Sequence, residues 1–153
     1  MIAITAPRPA CLAAAMLACL VSPPSGASAK DALTPLASIV EGGAQISTVA
    51  LHCAGLFHSV WDFGSDLRLD AENAALAKSN TTLFLDAGLT LRAGETGQSE
   101  ASLRAQAVAE AFAVSTLYHR HYTANVTAGR EPYADDKIWN EDLDVCRNLN
   151  AQF

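Results

Sequence analysis

The residues best suited to chemistry form a short cluster, Tyr118-His119-Arg120-His121-Tyr122. Two imidazoles, a guanidinium and two phenols could bind a metal ion or an anion. On a straight helix, however, His119 and His121 point about 200° apart and cannot bind one metal ion. The spacing therefore favours one half-buried, hydrogen-bonded histidine, His119, on the same face as Tyr122, and one solvated histidine, His121.

The two other histidines, His52 and His58, lie six residues apart and point to opposite sides of a helix. A zinc site needs three or four converging ligands, and residues 30–153 contain neither an H-x-x-x-H nor a C-x-x-C spacing. The C-x-x-C-H attachment sequence of c-type haem is missing as well. We therefore expect no metal site and no cofactor.

Other catalytic patterns are also missing from the sequence. Residues 30–153 contain no G-x-S-x-G elbow, no P-loop and no G-x-G-x-x-G turn. Carboxylates cluster between residues 131 and 144, but the ligand ladder of a Ca²⁺-binding loop is not present. We expect these acidic side chains to be solvated or to face a basic partner, and we predict no catalytic residue.

Residues 1–29 have the features of a secretory signal peptide. Arg8 supplies a positive charge, and residues 10–21 form an apolar run that is shorter than the roughly 20 residues needed to cross a bilayer. Ala27-Ser28-Ala29 supplies the small residues of a cleavage site. We predict cleavage after Ala29 and export to the periplasm or the exterior. Lipidation at Cys19 is the minor alternative.

Removing the signal peptide leaves a single predicted domain, residues 30–153. The full chain has a net charge of −6, and Arg8 is the one charged residue that leaves, so 9 basic and 16 acidic residues remain. This acidic balance argues against nucleic-acid binding, and no remaining segment suggests stable membrane insertion. The two remaining cysteines, Cys53 and Cys146, are expected to form a disulfide in an oxidising compartment.

Apolar residues recur at three- and four-residue spacing after the signal peptide, and this spacing is typical of helices. Four helical regions are predicted, at 35–62, 66–92, 99–127 and 134–150. Gly42-Gly43 is expected to break or kink the first region, and Asn80-Thr81-Thr82 could kink or split the second. Short turns between the regions favour an up-down-up-down four-helix bundle with one disulfide.

A disulfide between the first and last regions would set their register, because its Cα atoms must lie within about 7 Å. Antiparallel partners would then have residue numbers that sum to about 199. This register predicts that His58 approaches Glu141 and that Phe57 faces Leu143. Trp61 would lie beside Trp139.

In the third region, residues spaced three or four apart trace one predicted inner face. The members of that face are Ala101, Ala105, Val108, Phe112, Ser115, His119, Tyr122 and Val126. The opposite face is marked by Arg104 and Glu110.

The sequence favours a non-enzymatic exported protein that acts through a binding surface, with another envelope or secreted protein as its partner. The alternative is a small periplasmic enzyme or a metal or ligand carrier that uses His119, Tyr122 and nearby carboxylates. The candidate binding residues are His119, Tyr122, His58 and Glu141. A helical cavity for an apolar ligand, lined by Phe57, Phe112 and Trp139, is a third hypothesis. Two glycosylation sequons, at Asn80 and Asn125, matter only in a eukaryotic source.

Overall fold

The computed structural model describes residues 32–62, 69–133 and 135–153, and these ranges contain helices and connecting segments without strands. The helices are α1 (Leu36–Glu41), α2 (Ile46–Asp62), α3 (Ala71–Thr96), α4 (Glu100–Thr127) and α5 (Lys137–Asn150). The predicted all-α class is therefore confirmed. The predicted signal peptide and its cleavage after Ala29 lie outside the described residues.

Local sequence explains where the helices begin and end. Asp70, Ser99 and Asp136 cap α3, α4 and α5, each accepting a hydrogen bond from the backbone N–H three residues later. Gly43 has a φ of 75° and separates α1 from α2, so the predicted break at Gly42-Gly43 is confirmed. The four predicted regions thus become five helices.

The possible split at Asn80-Thr81-Thr82 is not found, because α3 continues unbroken from Ala71 to Thr96. The hydroxyls of Thr81 and Thr82 donate to the carbonyl groups of Ala77 and Lys78 one turn earlier. These polar side chains therefore bond within the helix that they were expected to weaken.

Helix α2 is the centre of the fold, and residues 51–56 are all buried. Two glycines allow its neighbours to approach closely. A Cβ on Gly55 would lie 2.6 Å from the carbonyl oxygen of Ala111 in α4, and a Cβ on Gly88 of α3 would lie 2.8 Å from the Leu51 side chain. Any larger residue at either position would push two helices apart.

The predicted disulfide is present: Cys53 and Cys146 have an S–S distance of 2.10 Å and a Cα–Cα distance of 5.6 Å. Both residues are fully buried. Near the start of α5, Trp139 packs against Tyr118 and Tyr122 of α4. The disulfide joins the middle of α5 to α2. After the end of α5, the Phe153 ring contacts Phe84 of α3. The predicted up-down-up-down arrangement is not confirmed.

Because α5 packs against α1 as well as α2, and its Trp139 lies against α4, the register extrapolated from the disulfide does not describe its contacts. His58 hydrogen-bonds to Ser115 of α4, at 3.2 Å, rather than to Glu141. Glu141 instead pairs with Lys137 on its own helix, at 3.7 Å. Phe57 stacks on Phe84 of α3, and Phe57 and Leu143 both pack against the same core cluster.

Helix α4 is rotated relative to the predicted inner face. The residues that it buries are Leu103, Ala107, Ala111, Ser115, Tyr118, Tyr122 and Asn125. Val108, Phe112 and Val126, which were predicted to be internal, are 45%, 56% and 57% exposed. Close packing against Gly55 requires small residues on the inner side of α4, so alanines occupy positions that hydrophobicity alone would assign to larger residues.

Candidate functional site

The predicted chemical cluster is divided between the interior and a surface network. Tyr122 is 2% exposed, and its hydroxyl lies 3.3 Å from Ser59 Oγ. Burial raises the pKa of Tyr122 well above its usual range. Tyr122 is thus a core residue that a solute does not reach, while His119 is half-buried on the same helix.

His121, predicted to be solvated, is half-buried and hydrogen-bonded. Its Nε2 lies 2.6 Å from Asp136 Oδ2, which also accepts a hydrogen bond from Asn125 Nδ2 at 2.7 Å. Arg130 donates to Asn125 Oδ1. This network joins the end of α4 to the start of α5, and it uses both ends of the Asn125 amide, the second predicted sequon.

The cleft beside this network is polar. Its volume is about 370 Å³, and it is lined by Asn125, Gly129, Arg130, Glu131, Asp135 and Asp136. Burial would raise the pKa of Asp136, but hydrogen bonds from the Trp139 N–H, Asn125 and His121 outweigh that effect and lower it. Asp136 is therefore an ionised helix cap whose hydrogen-bonding capacity is occupied by the fold.

A second polar network is buried in the core, and sequence reasoning missed it. His52 Nε2 lies 2.9 Å from the Tyr118 hydroxyl, which donates a hydrogen bond to Asp142 Oδ2 at 2.5 Å. The other carboxylate oxygen of Asp142 accepts the backbone N–H of Leu36 at 2.6 Å. The four residues come from α2, α4, α5 and α1, so no local spacing could reveal them.

Burial decides the protonation of this network. It lowers the pKa of His52 to about 4, so the imidazole is neutral near pH 7. With Asp142 ionised, the Tyr118 hydroxyl donates to the carboxylate and accepts from His52 Nε2–H. Burial also raises the pKa of Tyr118 well above its usual range. His52 is 5% exposed, and Tyr118 and Asp142 are fully buried, so the network has no opening for a substrate.

A third network, centred on Arg92 of α3, contains paired charges. Its guanidinium makes two hydrogen bonds to the Glu110 carboxylate of α4, at 2.5 and 3.1 Å. It also donates to the hydroxyls of Ser47 and Thr48 in α2, and Ser47 in turn bonds to Glu95. The hydrogen bond to Glu110 is the main reason that the pKa of Arg92 is raised. This network joins the three central helices.

The metal and ligand sites of the alternative hypotheses are not assembled in the described ranges. Among these residues, no three His, Cys, Asp or Glu side chains converge where a metal ion could bind. Phe57, Phe112 and Trp139, proposed to line one cavity, lie in different places: stacked on Phe84, exposed on α4 and packed among tyrosines. None of the five described helices combines the length and apolar character required to cross a membrane.

The most prominent surface feature is the outward side of α4. We call it the α4 outer face and define it by the exposed residues Ala101, Ala105, Val108, Ala109, Phe112 and Ala113. Its α2 edge carries His58 and Trp61, and the His58 imidazole contacts the edges of both the Trp61 and Phe112 rings. Its α3 edge carries Arg104, whose guanidinium lies 3.7 Å from Asp86.

Comparison of the chain with protein-family models, with curated proteins and with solved structures gives no match. No residue role is therefore carried over from another protein, and the sites are interpreted from their own geometry.

Proposed function

We propose that this protein is exported and acts without catalysis, by binding another envelope or secreted protein through the α4 outer face. The observation that carries the proposal is the exposure of Phe112, 56%, and Val108, 45%, on a face whose other members are alanines. Single exposed apolar residues are common on proteins, but a contiguous apolar face is typical of binding surfaces.

The surroundings of this face resemble the anatomy of a protein interface. Such interfaces have an apolar or aromatic centre without charge and a polar rim. Here Phe112 is the largest central side chain, His58 and Trp61 extend the aromatic surface, and the Arg104–Asp86 pair lies at the rim. Binding energy concentrates in such aromatic side chains.

The chemistry of the face favours an apolar partner surface. The α4 outer face contains no ionisable residue, although the predicted exported chain has 16 acidic residues and 9 basic ones. An ionic partner would find no complementary charge at the centre, whereas an apolar surface of another protein would lose no hydrogen bonds there. A second copy of this chain is the competing occupant, and the experiment below distinguishes the two.

The test places a photo-crosslinking amino acid at position 112 in the exported protein. The crosslinked partner is identified, purified and titrated against wild type and two variants, Phe112→Asp and Leu76→Asp. Leu76 is the matched control because it is also a large exposed apolar residue, at 58%, but lies on α3. We expect Phe112→Asp to weaken binding at least about 30-fold, the size of a typical hot-spot loss of 2 kcal/mol, and Leu76→Asp to retain wild-type affinity.

Equal affinity of the two variants would contradict the proposed site. Crosslinks solely between copies of this chain, with concentration-dependent sedimentation that Phe112→Asp abolishes, would assign the face to self-association instead. Both substitutions are on the surface and should change the free energy of unfolding by no more than about 0.5 kcal/mol, which circular dichroism melts can check.

Export itself is part of this proposal, with cleavage after Ala29 and disulfide formation afterwards. The buried Cys53–Cys146 bond supports it, because stable disulfides form in oxidising compartments. Intact-mass measurement of the native protein, with and without reductant, tests both parts. A native mass that includes residues 1–29, or two free thiols in that protein, would contradict the proposal.

A further inference from the structure

The Asp142 carboxylate is buried among neutral hydrogen-bond donors. It is fully buried, and its two oxygens accept from the Leu36 backbone N–H and the Tyr118 hydroxyl. In the part of the chain that the structure describes, no cationic side chain forms an ion pair with it. A buried carboxylate is usually accompanied by a cation, because an isolated charge is costly to remove from water.

Among the described residues, the ionisable groups around Asp142 do not supply the missing positive charge. Helix α1 presents the Leu36 amide, α4 presents Tyr118 and Tyr122, and α2 presents the neutral His52 through Tyr118. Two acidic residues lie near Asp142 in sequence: Glu141 of α5 and Asp136, the N-cap of α5. Burial raises the pKa of Asp142, these two acids raise it further, and the hydrogen bonds from Tyr118 and Leu36 offset that increase only in part.

The network can accept a proton without losing a hydrogen bond. A protonated Asp142 Oδ2 would donate to the Tyr118 oxygen, and the Tyr118 hydroxyl would then donate to His52 Nε2, with the imidazole proton on Nδ1. Asp142 Oδ1 would still accept the Leu36 N–H. The protonated network is therefore neutral and fully paired, whereas the ionised network keeps a charge in the core.

Helix α1 is the element best able to respond to this charge. It has only six residues, too few for a helix that is stable by itself, and Leu36 at its first position is bound to Asp142. Local opening of such an element requires less free energy than global unfolding. Opening would let water reach the carboxylate. It would also remove one wall of the open apolar groove of about 370 Å³ that Val40 of α1 lines together with Val145 and Leu149 of α5.

We propose that Asp142, Tyr118 and His52 form a proton-responsive clasp that holds α1 against α5 more firmly when the Asp142 carboxyl is protonated than when it is ionised. The sign follows from linkage: the closed state binds the proton more tightly than the opened, hydrated state. Closure is therefore favoured as pH falls toward the ordinary range of a carboxyl group and weakened as pH rises through the closed-state pKa.

Hydrogen exchange of the α1 amides, residues 36–41, tests the clasp. Protection factors are measured from about pH 7.5 down to about pH 5, with correction for the intrinsic exchange rate. The His52→Gln variant is compared over the same range, because an opened His52 would take up a proton below its ordinary pKa of 6.5 and oppose the effect of Asp142. Wild-type protection should increase as pH falls, by up to about tenfold for each unit of difference between the closed and opened pKa of Asp142. Constant or decreasing protection would overturn the proposal.

Two substitutions sharpen the test. Asp142→Asn keeps an oxygen acceptor for Leu36 and provides an N–H donor for Tyr118, so it imitates the protonated carboxyl and should give high, pH-independent protection. Asp144→Asn is the matched control: it removes an equal charge two residues away, from a side chain that is 72% exposed, and should keep the wild-type pH dependence. A pH dependence that persists in Asp142→Asn would overturn the proposal.

A measurement on the wild-type protein covers the case in which Asp142→Asn does not fold. The Asp142 carboxyl ¹³C shift should titrate above the roughly 3.9 of a free aspartate. Titration at or below that value would refute the clasp without any variant. None of these readouts depends on the α4 outer face, so the proposed function and the clasp can fail separately.

Discussion

The network around Arg92 and the network around Asp142 both join helices through side chains, but they treat charge differently. Arg92 faces Glu110 in a two-bond ion pair, with side chains 11% and 31% exposed. Asp142 is fully buried and is bound by neutral donors from α1 and α4. In the first network, the charge of Arg92 is balanced by Glu110, so the stability that this network contributes should depend weakly on pH. In the second network, no described cation balances the charge of Asp142, and its protonation should be coupled to helix packing.

The largest expected change in the free energy of unfolding comes from removing the disulfide that joins α5 to α2. The double variant Cys53→Ala/Cys146→Ala should lose about 3–4 kcal/mol of unfolding free energy, because the bond closes a loop with a sequence separation of 93 residues. Chemical denaturation with and without reductant measures the loss. If reduction changes the stability of wild type by less than about 1 kcal/mol, the disulfide is not the main tie between α5 and the rest of the fold.

Removal of the Asp142 side chain should have the next largest effect. Asp142→Ala leaves the Leu36 N–H and the Tyr118 hydroxyl without their acceptor in the core, which should reduce the unfolding free energy by about 3 kcal/mol. Urea unfolding at neutral pH measures it, with Asp142→Asn as the variant that keeps both bonds. A smaller loss for alanine than for asparagine would mean that burial of the carboxylate, not its hydrogen bonds, dominates this region.

Acid titration of His52 should oppose the effect of Asp142. The folded-state pKa of His52 is lowered to about 4 from 6.5, so the stability that it contributes is present above pH 6.5 and lost as pH falls toward 4. The loss should reach about 2–3 kcal/mol at pH 4. Unfolding experiments on His52→Gln, compared with wild type over this range, should show a smaller decrease. An unchanged pH profile would place the acid sensitivity elsewhere.

The ion pair should give the smallest effect. Arg92→Met removes the charge but keeps much of the aliphatic stem, and we expect a loss of about 1 kcal/mol because Glu110 remains partly solvated. The loss should be nearly constant between pH 6 and 8, because the Arg92 guanidinium stays protonated throughout this interval. A loss that varies strongly with pH in this interval would remove the contrast with the Asp142 network.

Several parts of the fold were predictable because they depend on short-range chemistry. The Gly42-Gly43 break follows from backbone freedom, and the Ser99 cap follows from a hydroxyl that can reach nearby N–H groups. The pairing of Cys53 with Cys146 follows from the two cysteines that remain after the predicted signal peptide. In each case the residue type leaves few alternatives.

The rotation of α4 could not be predicted in the same way. Its sequence alternates alanine with larger residues, so more than one helical face is apolar. Hydrophobicity favours Val108 and Phe112 as internal residues, whereas Ala107 and Ala111 face the core. Gly55 lies in the first predicted region and was a possible signal, because a glycine on the buried side of α2 allows the backbone of a neighbouring helix to approach closely.

The sequence by itself determined the helical class, most helix boundaries and the disulfide, since periodicity, caps and cysteine number act over a few residues or through covalent chemistry. Only the tertiary structure decided which side of α4 is buried, how α5 packs against α1, α2 and α4, and that His52, Tyr118, Asp142 and Leu36 form one network. Those outcomes depend on how closely whole helices approach one another. The distance between two packed helices depends on the side-chain volumes of both contacting faces, so the sequence of one helix does not determine it.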